Sequence, residues 1–143
     1  MSLATTPRAR ILALLLRIAG TFLCTAFFAM IMPTVWMADT HAWLGMGELP
    51  RMPVVEYLTR SIAPLYGFHG VLMLLVASYL RRLRPVAVYI GCMNVLFGLF
   101  VTVIDFEAGL PLWWSVGEGP PIAAFGVVIL WLVRTGVADE TVR

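Results

Sequence analysis

Four long apolar stretches, at about residues 18–37, 62–80, 86–104 and 122–137, leave this chain few ways to fold. Each is close to the roughly 20 residues that a helix needs to cross a hydrocarbon core about 30 Å thick. No water is at hand inside lipid to satisfy backbone N–H and C=O groups, so a spanning stretch outside a closed barrel has to be helical. The expected fold is all-α, a four-helix transmembrane bundle. The chain has 61% hydrophobic and 13% charged residues, against about half and a quarter in soluble domains. Its 143 residues therefore read as one integral membrane domain, with no room for a second, soluble one.

Charge sets the expected orientation. All ten basic residues are arginine. Arg8, Arg10, Arg17, Arg81, Arg82, Arg84, Arg134 and Arg143 fall on one side of the four spans, and only Arg51 and Arg60 on the other. The positive-inside rule then places both termini in the cytoplasm. The outer side holds the acids Asp39, Glu48, Glu56, Asp105, Glu107 and Glu118. Net charge is +2 with no basic cluster on a soluble surface, so nucleic-acid binding has no support.

Thr6 and Pro7 form an N-cap and first-turn proline, which predicts a helix start ahead of the first span. The apolar run from Ile11 to Ala38 is too long for a secretory signal core and is read as an uncleaved span. Gly20, Thr21, Cys24 and Thr25 give that span a small-residue stripe for a neighbouring helix, and Pro33 is expected to bend its outer end. Asp39 or Thr40 can cap a short interfacial helix in the first outer loop, with Trp36 and Trp43 as anchors and Gly45 and Gly47 as its end. Pro53 restarts helix, and Pro64 is expected to kink the second span. Arg81 to Pro85 is a tight reversal. Trp113 and Trp114 anchor the second outer loop.

Polar residues in and beside the spans are the candidate site. Arg60, Tyr66, His69 and Asn94 are candidate cavity-lining or packing residues, because ionisable and polar groups at such depth mark sites by default. His69 and Asn94 fall at similar depth on a helical hairpin. A hydrogen bond that fixes helix packing is the plainer reading, and a ligand-contacting or proton-relay pair is the sharper one. Glu56, Arg60, Asp105 and Glu107 are a candidate outer charged rim, either a salt-bridged closure or a charged mouth. No catalytic residue is assigned, since no nucleophile has a base beside it. A bis-histidine haem fails because His41 belongs to the outer loop, on the order of 15 Å from the depth of His69. No metal-ligand spacing occurs. Cys24 and Cys92 read as small core residues.

The stretches LTRSIAPLYGFHGVLMLL, RRLRP and VIDFEAGLP together resemble the DoxX-like group of small four-helix bacterial membrane proteins. In that group an arginine followed by a YG or GG step opens the second span, and the matching positions here are Arg60, Tyr66 and Gly67. The resemblance implies the four-helix fold and a bacterial inner (plasma) membrane. It is also the only pointer to a cofactor, a quinone, since named members of the group are tied to quinone-linked oxidation. The residues themselves imply none.

Two functions stay open. One is a non-catalytic scaffold or accessory subunit, partnered by the lipid bilayer and by another membrane protein or further copies of itself. The other is a small transporter or quinone-interacting protein with a cavity lined by polar residues of spans 2 and 3.

Overall fold

The computed structural model describes residues 6–137, so Arg143 of the charge count and the first five residues of the polar tail lie outside it. Its helices are α1 (Pro7–Cys24), α2 (Ala26–Ile31), α3 (Thr34–Trp43), α4 (Pro53–Ser78), α5 (Arg84–Glu107), α6 (Leu112–Gly117) and α7 (Gly119–Gly136). No strand occurs among the described residues. Four helical stretches, Pro7–Ile31, Pro53–Ser78, Arg84–Glu107 and Leu112–Gly136, are long and apolar enough to cross a membrane. Large apolar side chains on them stay uncovered, Phe22 at 74% exposure and Leu65 at 67% among them. Apolar surface on this scale is not left to water. These are the helices of a multi-pass membrane protein.

The first stretch departs from expectation. Its helix starts at Pro7 as foreseen, with the Ala9 amide donating to Thr6 Oγ1 at 3.1 Å. It does not continue to residue 37. At Thr25 the ladder tightens, because the Thr25 amide and hydroxyl both donate to the Phe22 carbonyl, at 3.0 and 2.6 Å. A threonine hydroxyl that competes for a nearby carbonyl offers the backbone this alternative. The stretch then ends at Ile31, and Met32 and Pro33 turn extended with ψ of 133° and 139°. Pro33 ends the helix instead of bending it, because its ring removes an amide donor. The next helix starts directly behind it at Thr34, so Asp39 and Thr40 lie inside α3 and do not cap it. Gly45 and Gly47 do follow its end, with φ of 73° and 82°. α4, by contrast, runs unbroken through Pro64.

The chain divides into two compact units, one formed by residues up to Ile18 and from Met73 onward, the other by Ala19–Leu72. α1 and α4 contribute to both.

In the first unit α5 and α7 pack antiparallel along glycines. Gly91 and Gly98 on α5 are seven residues apart, as are Gly119 and Gly126 on α7, so each pair lies two turns apart on one face. Gly98 meets Gly119, and Gly91 meets Gly126. A Cβ on Gly98 would come 2.5 Å from Ala123 N and Gly119 O, and one on Gly126 would come 2.6 Å from Gly91 O. The backbones therefore touch, which permits Cα–H···O contacts. Apolar side chains gain little by leaving lipid for a neighbouring helix, so close approach of small residues drives association. At the far end of the unit Thr6 Oγ1 donates to Gly136 O at 2.6 Å, and the Arg8 guanidinium lies 5.7 Å from the centre of the Trp131 ring.

The second unit repeats the device. A Cβ on Gly70 would come 2.6 Å from Gly20 O and 2.9 Å from Cys24 N, and Cys24 Sγ lies 3.8 Å from Gly67 O. The Phe27 ring covers Gly67 and meets Phe68 edge-on at 5.3 Å. Gly20 and Cys24 thus form the small-residue seam that the sequence advertises, while Thr21 and Thr25 stay exposed.

Gly126→Leu should destabilise the protein by about 2–3 kcal/mol, because the obstructing atoms are backbone and cannot yield. Gly117→Ala, where nothing lies within 4 Å of the added carbon, should match wild type. Unfolding of the purified protein by a denaturing detergent measures both.

Candidate functional site

The polar node of the second unit begins with the break at Pro33. In a continuous helix the amides of residues 34 and 36 would serve the carbonyls of Met30 and Met32. The extended Met32–Pro33 step withdraws them. Arg60, on α4, takes their place: Nη1 donates to Met30 O at 2.8 Å and Nη2 to Met32 O at 3.0 Å. Its Nε donates to Glu56 Oε1 at 3.0 Å, one helical turn earlier. The same carboxylate oxygen accepts the hydroxyl of Thr34, the first residue of α3, at 3.1 Å. One arginine and one glutamate therefore tie the end of α2 and the start of α3 to α4.

The Arg60–Glu56 ion pair is partly exposed, at 31% and 45% for the two side chains, and such pairs contribute little by themselves. Charge-assisted bonds from a guanidinium belong to the stronger class. The two carbonyl contacts therefore outweigh the ion pair.

Beside this node a cleft of about 550 Å³ is lined by Thr34, Arg51, Glu56 and Thr59 together with the chain from Leu49 to Pro53. The loop that leads to it is closed by His41, whose Nδ1 donates to Gly47 O at 3.0 Å. A shallower, apolar groove of about 430 Å³ runs past Ala29, Leu58, Thr59, Ile62 and Tyr66.

The remaining candidates divide between the two units. His69 is half-buried on α4 and makes no hydrogen bond among the described residues. Asn94, on α5, donates from Nδ2 to Ile90 O of its own helix at 2.8 Å. Glu107 is exposed at the end of α5. Asp105, in the same last turn, is only 5% exposed. It continues the buried face of α5 that runs through Gly91 and Gly98, again seven residues on. One of its oxygens, Oδ2, is buried with no hydrogen-bond partner among the described residues, and so is Oγ of Ser115 on α6. Glu118 interacts with the Asp105 charge and hydrogen-bonds the Trp114 side chain. Among the described residues no three His, Cys, Asp or Glu side chains gather as a metal-binding group.

Sequence reasoning named Arg60 and Glu56 but not what they bind, the Met30 and Met32 carbonyls and Thr34. The signal was Pro33, since the residue before a proline is pushed toward extended backbone, which ends the helix and leaves its last carbonyls without helical donors. It also missed Ser115 and the neighbourhood of Asp105 and Glu118. The seven-residue spacing of Gly91, Gly98 and Asp105 marks that acid as facing inward.

No family model, curated protein or solved structure matches the chain.

Arg60→Ala should lower stability by about 2 kcal/mol, through two carbonyls left without a charged donor. Arg60→Lys should recover only part of this, because an ammonium lacks the planar fork that reaches both carbonyls and Glu56 together. Glu56→Gln should shift the melting temperature less than either, since the amide oxygen can still accept from Thr34. Thermal unfolding of the purified variants in detergent checks the order.

Proposed function

We propose that the chain is a non-catalytic scaffold or accessory subunit of a bacterial inner membrane, related to the DoxX-like group. In this reading both termini are cytoplasmic and α3 lies in the outer interface. The observation that carries it is the use made of Arg60, the one arginine opening the second span. All three of its guanidinium nitrogens are spent on the chain's own Met30, Met32 and Glu56. Asn94 likewise satisfies a carbonyl of its own helix. Side chains committed to the backbone in this way hold helices and leave little to offer a substrate.

The arginine distribution supports the orientation. The exposed Trp36 and Trp43, at 55% and 83%, support the interfacial position of α3, since tryptophan is enriched at headgroup level. A scaffold acts through partners, and the uncovered apolar faces of the helices are where another membrane helix or a second copy would pack.

One observation favours a second reading, a quinone-interacting or transport protein. The apolar groove beside Tyr66 carries the Tyr66 side chain and Thr59, whose hydroxyl donates to Val55 O at 2.9 Å and keeps its oxygen as an acceptor, on a wall otherwise built from Ala, Val, Leu and Ile. That combination suits a lipid-soluble ring with polar substituents.

Purification from native membrane after mild crosslinking separates the two. The scaffold reading expects a membrane protein partner or a multimer to accompany the chain, and His69→Leu and Tyr66→Phe to leave that complex intact. Recovery of the chain alone with stoichiometric quinone, lost in Tyr66→Phe, is the result that overturns it.

A further inference from the structure

The end of α5 carries an electrostatic problem that no basic side chain of its own last turn solves. A helix C-terminus is the negative end of the macrodipole, where cations are favoured. The last turn of α5 instead holds two acids, Asp105 and Glu107, and no basic residue. Asp105 is buried at 5% exposure, with Oδ2 unpartnered. The arginines of α5 and α7, Arg84 and Arg134, lie at the opposite ends of their helices. Arg84 is twenty-one residues from Asp105, about 30 Å along the axis. A buried carboxylate without a paired charge is strongly disfavoured.

Two further oxygen-bearing side chains, Ser115 and Glu118, lie on and just after α6, which packs against the same helix. Gly119 packs on Gly98 and Thr102 of α5. Ser115 lies four residues before Gly119 and Asp105 three residues beyond Thr102. The antiparallel run of the chain places both at the end of the unit where α5 finishes and α7 begins, with α6 packed against both helices. Ser115 is fully buried and its Oγ has no partner. Glu118 feels the charge of Asp105, and the Trp114 side chain holds it by a hydrogen bond. Pro120 and Pro121 have no amide hydrogen, so the carbonyls of Val116 and Gly117 lack their i+4 donors.

We propose that Asp105, Ser115 and Glu118 form a binding site for a single small, hard monovalent cation, with sodium as the ion to test. The donors are all oxygen, which selects hard cations over soft transition metals. Only two carboxylates contribute, against the larger charged sets that calcium usually takes. The bound ion neutralises Asp105 and joins the end of α5 to α6 and the start of α7. This goes beyond the scaffold reading, and either can fail without the other.

The test is thermal unfolding of the full chain in detergent, titrating sodium chloride against choline chloride at constant ionic strength. A ligand that binds only the folded state raises its stability by mass action. Wild type should show a saturable rise of a few degrees in sodium that is absent in choline. Asp105→Asn and Ser115→Ala should each lose it, and Glu107→Gln, at the exposed neighbouring acid, should keep it. Should Asp105→Asn fail to fold, Ser115→Ala decides alone. Equal melting temperatures in the two salts overturn the proposal, as does an undiminished sodium response in Ser115→Ala. Stability that follows pH but not sodium also overturns it, since a proton then occupies the site.

Discussion

A backbone carbonyl without a donor is what a chain built for lipid can least tolerate, because no solvent is there to take its place. Pro33 creates this fault at the end of α2. The residues that looked most functional in the sequence are the ones that repair it. Arg60 supplies donors to Met30 and Met32, and Glu56 both aims Arg60 and holds Thr34 at the start of α3. Without this node the chain from Ile31 to Thr34 would have no fixed course, and α3 would not be placed relative to α4. The arginine is retained for its planar set of donors more than for its charge.

The second constraint is that lipid offers apolar side chains no reward for packing together. Both units answer it by bringing backbones into contact. Gly91, Gly98, Gly119 and Gly126 do so in one unit, and Gly20, Cys24 and Gly70 in the other. These seams also decide which polar groups become buried. Asp105 is buried because it falls on the α5 face that already carries Gly91 and Gly98. Glu107, two residues on, falls outside that face and stays exposed.

Much of this was legible in the residues. Four apolar stretches named four helices, Thr6 and Pro7 named the start of the first, and the stripe with Gly20 and Cys24 named one of the seams. The exact course of the first outer segment was not legible. The sequence says that Pro33 disturbs a helix, but whether it bends or ends it depends on what receives the stranded carbonyls. Here the receiver is Arg60, twenty-seven residues further on. Asn94 donates to Ile90 O of its own helix, a bond that its residue type alone does not announce. Ser115 is silent in sequence, being one serine in a loop rich in aromatic and apolar residues, and acquires meaning only through burial beside α5.

The central claim, that Arg60 serves carbonyls stranded by Pro33, is tested most directly by a double-mutant cycle between Arg60→Ala and Pro33→Ala. Alanine at position 33 restores the amide and lets α2 run on into α3, so the Met30 and Met32 carbonyls regain helical donors. The account predicts that Arg60→Ala costs much less stability in that background, with a coupling of about 1 kcal/mol or more. Strictly additive effects of the two substitutions would contradict it.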